Sequence, residues 1–159
     1  MKSMLIGIDD AKSSIKAVEY VAQQFSGASD LRITLVHVLP NLPAIFWDEG
    51  HILSDSEKKE RQKVVDKWLT DRKAKMEPIL RSAVELLAKS GIPQKQVQTK
   101  FISDSMDAAE SILEEAKDNN HQTIVVGRRG ASDGTRVAIG SVSSRIVSLG
   151  SGVAVLIVE

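Results

Sequence analysis

Directly after an apolar run, TIVVG, the sequence places GRRGASDGTRVAIGSVSSR, residues 127–145. Gly127, Gly130 and Gly140 are spaced as G-x2-G-x9-G and are followed by Ser141, where a helix-period stretch begins. Glycine lets a backbone approach a ligand with no Cβ in the way, and the first amides of a helix have no intrahelical acceptor. Together these features describe a cradle for phosphate oxygens. The same residues also suit a plain turn, with Ser141 as no more than a helix cap. Spacing alone leaves both readings open. The two common nucleotide fingerprints are absent: no G-x4-G-K-[ST] occurs, and no G-x-G-x-x-G follows the first apolar run.

Other polar residues that could do chemistry stand at the ends of apolar runs: Asp9, Asp10 and Ser13, then His37, Val38 and Asn41, then Ser103 to Ser105. His37 falls within a strand pattern and reads as a satisfied histidine rather than a catalytic one. His51 and His121 fall in loops with no partners at metal-ligand spacing, so no zinc site is expected. No catalytic residue is assigned.

The elements that must position these residues follow from periodicity. SMLIGI, LRITLVHVL, VQTKFIS, TIVVG and VAVLIV read as strands. Between them, Ala17, Val18, Val21, Ala22 and Phe25 form one helical stripe. A second, in a long surface helix, runs from Val64 and Val65 through Trp68, Leu69, Met76, Ile79, Leu80, Ala83 and Val84 to Leu87, and Trp68 is expected in the core. Pro78 inside that helix is expected to kink or divide it. The charged run Glu57 to Glu60 reads as its solvated start. SMDAAESILEEAKDN supplies a third helix with Met106, Ala109, Ile112, Leu113 and Ala116 on its apolar face, and residues 141–149 a short fourth. The order βαβαβαβαβ, with strands apolar on both faces, predicts a doubly wound α/β domain: a five-stranded parallel sheet with helices on both faces. Ligands of such sheets bind beyond the carboxyl ends of the strands, where the strand order reverses.

Composition narrows the partners. The chain has 159 residues, no cysteine and 21 basic against 21 acidic residues. One domain over 1–159 is expected, with neither a basic footprint for nucleic acid nor an acidic tail. No stretch approaches the roughly 20 apolar residues of a membrane span, and the apolar run in MKSMLIGIDD is too short for a signal peptide, so the expected compartment is the cytoplasm.

GRRG, nine residues, then GSVSSRIV and the closing VAVLIV resemble the carboxyl-terminal half of the universal stress protein family, whose ATP-binding members carry G-x2-G-x9-G-[ST]. MLIGIDDAKSS and ITLVHVLP resemble its first two strands, so the likeness covers nearly the whole chain. The resemblance implies the strand order 3-2-1-4-5 with ATP lying across strands 1 and 4. It implies that Asp9 binds ribose or adenine polar groups, that Val38 meets adenine through its backbone, and that Gly127 faces the ribose. Gly130, Gly140, Ser141, Val142 and Ser143 would surround the phosphates, Arg129 would reach the phosphate tail, and Mg²⁺ would accompany ATP. Phe46 and Trp47 would cover the adenine side or a partner surface. Asp10 stands where the family often has glycine, Arg128 where a small residue is usual, and the proline that often precedes the last strand is missing.

An ATP-binding stress or signalling module is therefore expected, at most a slow ATPase, because no set of groups to orient water and neutralise transferred charge is apparent beyond Arg129. The alternative is a nucleotide-free dimeric interaction protein of the same fold. A phosphorylated receiver domain lacks the strand-end Asp and Lys it would need. VAVLIV, an edge strand in that order, carries no lysine, proline or charge to protect it, which predicts a homodimer through the last strand.

Overall fold

A computed structural model describes residues 2–42, 50, 52–103, 105–129, 139–150 and 152–159. Five strands, β1 (Lys2–Gly7), β2 (Leu31–Val38), β3 (Val97–Ile102), β4 (Thr123–Gly127) and β5 (Ala154–Val158), form one parallel sheet in the order β3-β2-β1-β4-β5. The doubly wound order expected from the sequence is thus the observed one. Among the described residues four α-helices connect the strands: α1 (Lys12–Gln24), α2 (Asp55–Lys89), α3 (Ala108–Asp118) and α4 (Ser141–Leu149).

Because β1 lies between β2 and β4, its side chains are covered from both sides, and Leu5 and Ile6 are fully buried. Successive strand residues point to opposite faces. Ile6, Ile33 and Leu35 accordingly pack with Val18, Val21, Leu80 and Leu87 of α1 and α2. Leu5, Val36 and Val126 pack with Ile112, Leu113 and Ile146 of α3 and α4. Nearly continuous apolar strands were the sequence signal for this two-sided burial.

α2 departs from its expected outline. It runs unbroken for 35 residues, about 52 Å at the α-helical rise, so Pro78 does not divide it. Pro78 is exposed, and so is Ala74, whose carbonyl loses its partner and can turn to water, while Met76 and Leu80 on either side are buried. Of the ten apolar residues in the expected stripe, only Met76, Leu80, Ala83 and Leu87 are buried. Trp68 is half-buried beneath the Arg72 guanidinium, 5.2 Å from the ring centroid, and lies outside the core. The charged start is a capping box: Ser54 Oγ accepts from the Glu57 amide, and Glu57 Oε2 accepts from the Ser54 amide at 2.7 Å. Ser54 Oγ also donates to Glu57 Oε2 at 2.6 Å, and this bond first, then the one from the Ser54 amide, holds the Glu57 carboxyl below its usual range.

Met106 is a second correction. It is 88% exposed and precedes α3, because Asp107 Oδ1 accepts from the Ala109 and Glu110 amides and starts the helix after it. His121, expected in a loop, follows α3 but is buried, with Nδ1 2.6 Å from Ser3 Oγ. Phe46, Trp47 and His51 lie outside the described residues. Among the described residues no helix is long and apolar enough to cross a membrane.

Candidate functional site

A cleft of about 140 Å³ opens beyond the carboxyl ends of β1, β2 and β4. It lies at the point where the chain order reverses about β1. Asp9, Val38, Gly127, Arg129, Ser141, Val142 and Ser143 line it, so seven of the nine residues singled out in the sequence share one cavity. Gly140 does not line it but caps α4 immediately beside it, and Gly130 falls outside the described residues.

Asp9 does two things. Its Oδ1 accepts from the Ala11 amide at 2.8 Å and from Ser14 Oγ at 2.5 Å, while the Asp9 amide donates to Ser14 Oγ at 3.0 Å. The N-cap of α1 is Ala11, which has no side-chain cap, and Asp9 accepts from that residue's own amide in the turn that leads into the helix. The carboxylate is thereby fixed at the positive end of α1 and at the wall of the cleft. Ser14, buried, is the partner that the sequence did not single out; its neighbour Ser13 drew the attention.

Gly127 ends β4 against the first turn of α1. A Cβ there would meet Ser13 Oγ at 2.6 Å, Ser13 Cβ at 2.7 Å and the Ser13 carbonyl carbon at 2.8 Å. Ser13 Oγ also donates to the Arg129 carbonyl. The Gly140 amide donates to the Arg128 carbonyl at 2.6 Å, which closes the base of the segment between them. That bond corrects one detail of the expected cradle: the Gly140 amide is already committed. Gly140 has φ −62° and ψ 160°, a conformation open to any residue, so glycine is not demanded there by its own backbone angles.

The first turn of α4 is where unpaired amides gather. The Ser144 amide donates to the Gly140 carbonyl, 2.9 Å, and is the first of the intrahelical bonds. Ser141, Val142 and Ser143 precede it, and Gly140 offers them no side-chain acceptor. Among the described residues these three amides meet no backbone acceptor, and all three residues line the cleft. The Ser143 side chain is buried, and its Oγ donates to the Gly127 carbonyl at 2.7 Å, tying α4 to the end of β4.

Charge around the cleft is organised by pairs. Asp107 of the α3 cap accepts from Arg145 Nε, and Arg145 Nη2 reaches Glu110 at 3.1 Å, so the amino ends of α3 and α4 are joined. The Arg145 bond holds the Asp107 carboxyl below its usual range. Asp10 points away to Lys75 of α2, 3.1 Å, and does not line the cleft. Arg129 separates the cleft from a hollow bounded by Ser13, Lys16, Arg128 and Glu159, in which Arg128 and Glu159 form an ion pair. Among the described residues no three His, Cys, Asp or Glu side chains cluster as metal ligands.

This fold and cleft define a doubly wound α/β domain with its cleft at the switch point. Residues 1–159 match the model of the universal stress protein family, and the chain belongs to that family. Universal stress protein UspA from Lactobacillus plantarum is 18% identical, with a TM-score of 0.70 over 99% of this chain and 97% of that one. The universal stress protein from Archaeoglobus fulgidus in complex with dAMP is 16% identical, TM-score 0.58, over 100% and 98% of the two chains. A universal stress protein family protein from Arabidopsis thaliana with AMP bound is 16% identical, TM-score 0.62, over 99% and 91%. At such identities the likeness carries the fold. Among curated proteins none matches the sequence.

Proposed function

We propose that this protein binds an adenine nucleotide, ATP with Mg²⁺ foremost, across the ends of β1 and β4, and that occupancy sets the state of a stress-response or signalling module. The carrying observation is that Asp9 lines one cleft together with Ser141, Val142 and Ser143 of the first turn of α4, whose amides meet no backbone acceptor among the described residues. Amides at a helix start suit phosphate oxygens, and a fixed carboxylate suits ribose hydroxyls or base amino groups. Family members with dAMP and AMP bound support the same ligand class.

In this reading Asp9 and the Val38 backbone take the nucleoside, Gly127 lies by the ribose, and Ser141, Val142 and Ser143 hold phosphates beside Gly130, Gly140 and Arg129. The Ser143 hydroxyl serves the scaffold, and its amide serves the ligand. A divalent ion would take its oxygens from phosphate and water, since the described residues offer no ligand cluster. Turnover is at most slow, because among the described residues lining the cleft only Arg129 carries a fixed positive charge.

A twofold pair through β5 completes the proposal. Ala154 donates to Gln122 and Val158 accepts from Arg128, so residues 154 and 158 face β4 and residues 155 and 157 face outward. Val147 and Leu149 of α4 are exposed at 53% and 40% and add apolar surface.

The test is mass spectrometry of small molecules released from protein purified without added nucleotide, followed by calorimetry with ATP and Mg²⁺. Adenine nucleotide should be released, and Gly140→Val should weaken ATP binding without unfolding the chain. No released nucleotide, and no heat or thermal shift with millimolar ATP, would leave the nucleotide-free dimer as the better account.

A further inference from the structure

The β1–β2 ladder ends one rung early, at a carbonyl that a side chain meets. Its last bond runs from the Ile8 amide to the Val36 carbonyl, 2.8 Å. In parallel pairing the next would run from the Val38 amide to the Ile8 carbonyl. That carbonyl is taken instead by His37 Nδ1 at 2.7 Å. A carbonyl only accepts, so Nδ1 carries a proton there. Phe101 backs the imidazole edge-on, with centroids 6.0 Å apart and planes at 86°. Beyond Ile8 the Asp9 amide turns away to Ser14 Oγ, and among the described residues the β2 backbone meets no further partner on this side. Val38, next along β2, lines the cleft, and among the described residues its amide meets no acceptor.

We infer that His37 is a positioning residue for base recognition: by occupying the Ile8 carbonyl it keeps the backbone N–H and C=O of Val38 available to the ligand. The inference rests on the nucleotide reading above and deepens it. An N–H beside a C=O complements a ring edge that offers an acceptor beside an amino donor. Adenine has that edge, with its exocyclic amino group, whereas guanine carries a carbonyl at the same position. His37, which also lines the cleft, thus selects adenine over guanine through Val38.

The test compares wild type, His37→Leu and His37→Asn as full chains. Leucine releases the Ile8 carbonyl to the Val38 amide, which should then exchange its hydrogen more slowly, about tenfold, by NMR. AMP affinity in His37→Leu should fall about tenfold by calorimetry, the loss of a buried backbone hydrogen bond, and the preference for AMP over GMP should fall with it. Ribose 5-phosphate, which lacks the base, should bind as to wild type. His37→Asn, whose Nδ2 can donate to the same carbonyl, should restore both the AMP affinity and the fast Val38 amide. Equal weakening of AMP and ribose 5-phosphate in His37→Leu, or an unaltered preference for AMP over GMP, overturns the role of His37. A wild type that binds neither AMP nor ribose 5-phosphate overturns the nucleotide reading itself.

Discussion

Gly127 and Ser13 are in contact so close that no side chain fits between them: a Cβ on Gly127 would lie 2.8 Å from the Ser13 carbonyl carbon. The obstacle is backbone, so no rotamer relieves it. Gly127→Ala should lower stability by about 1–3 kcal/mol, as overpacking does, and the urea midpoint measures it. Ser13→Gly in the same chain should recover only part of the loss, because it removes the side-chain clash and leaves the carbonyl carbon in place.

Asp9 and Ser14 separate recognition from scaffold. Ser14→Ala leaves the Asp9 amide without its acceptor and should cost about 1–2 kcal/mol of stability. Asp9→Ala loses the start of α1 in the same way, and in addition should cost about 1–3 kcal/mol of nucleotide affinity through a lost charged hydrogen bond. Calorimetry with both ATP and adenosine checks it. Unchanged affinity for both would remove Asp9 from the site.

Proline scanning of β5 distinguishes its two edges. Val155 and Ile157 turn their amides away from β4, so Val155→Pro or Ile157→Pro should release monomers while leaving the sheet intact. Leu156 faces β4, and Leu156→Pro should break the ladder and destabilise the fold itself. Light scattering at tens of micromolar reads the first effect and thermal melting the second. A wild type that is monomeric with and without ATP would defeat edge pairing.

His121 predicts a pH dependence. Burial, and secondarily the Arg32 charge, pull its pKa below the ordinary 6.5. The unfolded chain then binds the proton more tightly than the folded one, so stability rises with pH through this group. Its contribution costs nothing above pH 6.5 and grows as pH falls below that value toward the folded pKa. Urea midpoints at neutral and mildly acidic pH should separate further for wild type than for His121→Gln.

The sheet was legible because burial on two faces leaves apolar runs with no alternation, and because Gly27 and Gly91, both at positive φ, mark ends that sequence shows directly. The cleft was legible in residue type at Asp9, Ser141 and Arg129. What those residues do to one another was not. Gly127 reads as room for a ligand, and its contact with Ser13 depends on how α1 crosses β4. Ser143 reads as a phosphate hydroxyl, yet it spends that hydroxyl on Gly127. His37 reads as a satisfied histidine, which it is; that its acceptor is the carbonyl Val38 would otherwise use is a matter of register. Trp68 and Met106 failed for a related reason: periodicity tells which residues share a stripe, and tertiary packing decides where along its length the stripe is covered.

The sheet also has a fault line. β1 and β2 share six registered pairs, whereas β1 and β4 share three, Met4 to Ile6 against Thr123 to Val125. Asp9 and Val38 stand on one bank of that line, and Gly127 and Ser141 on the other. β4, α4 and β5 therefore lie beyond the strand seam with the fewest registered pairs, and a ligand that touches both banks works as a brace, raising the free energy of opening with its own concentration. β5, the strand proposed to pair with a second copy, belongs to the same block. A partner gripping it would sense occupancy as quieter motion, with no change of shape required.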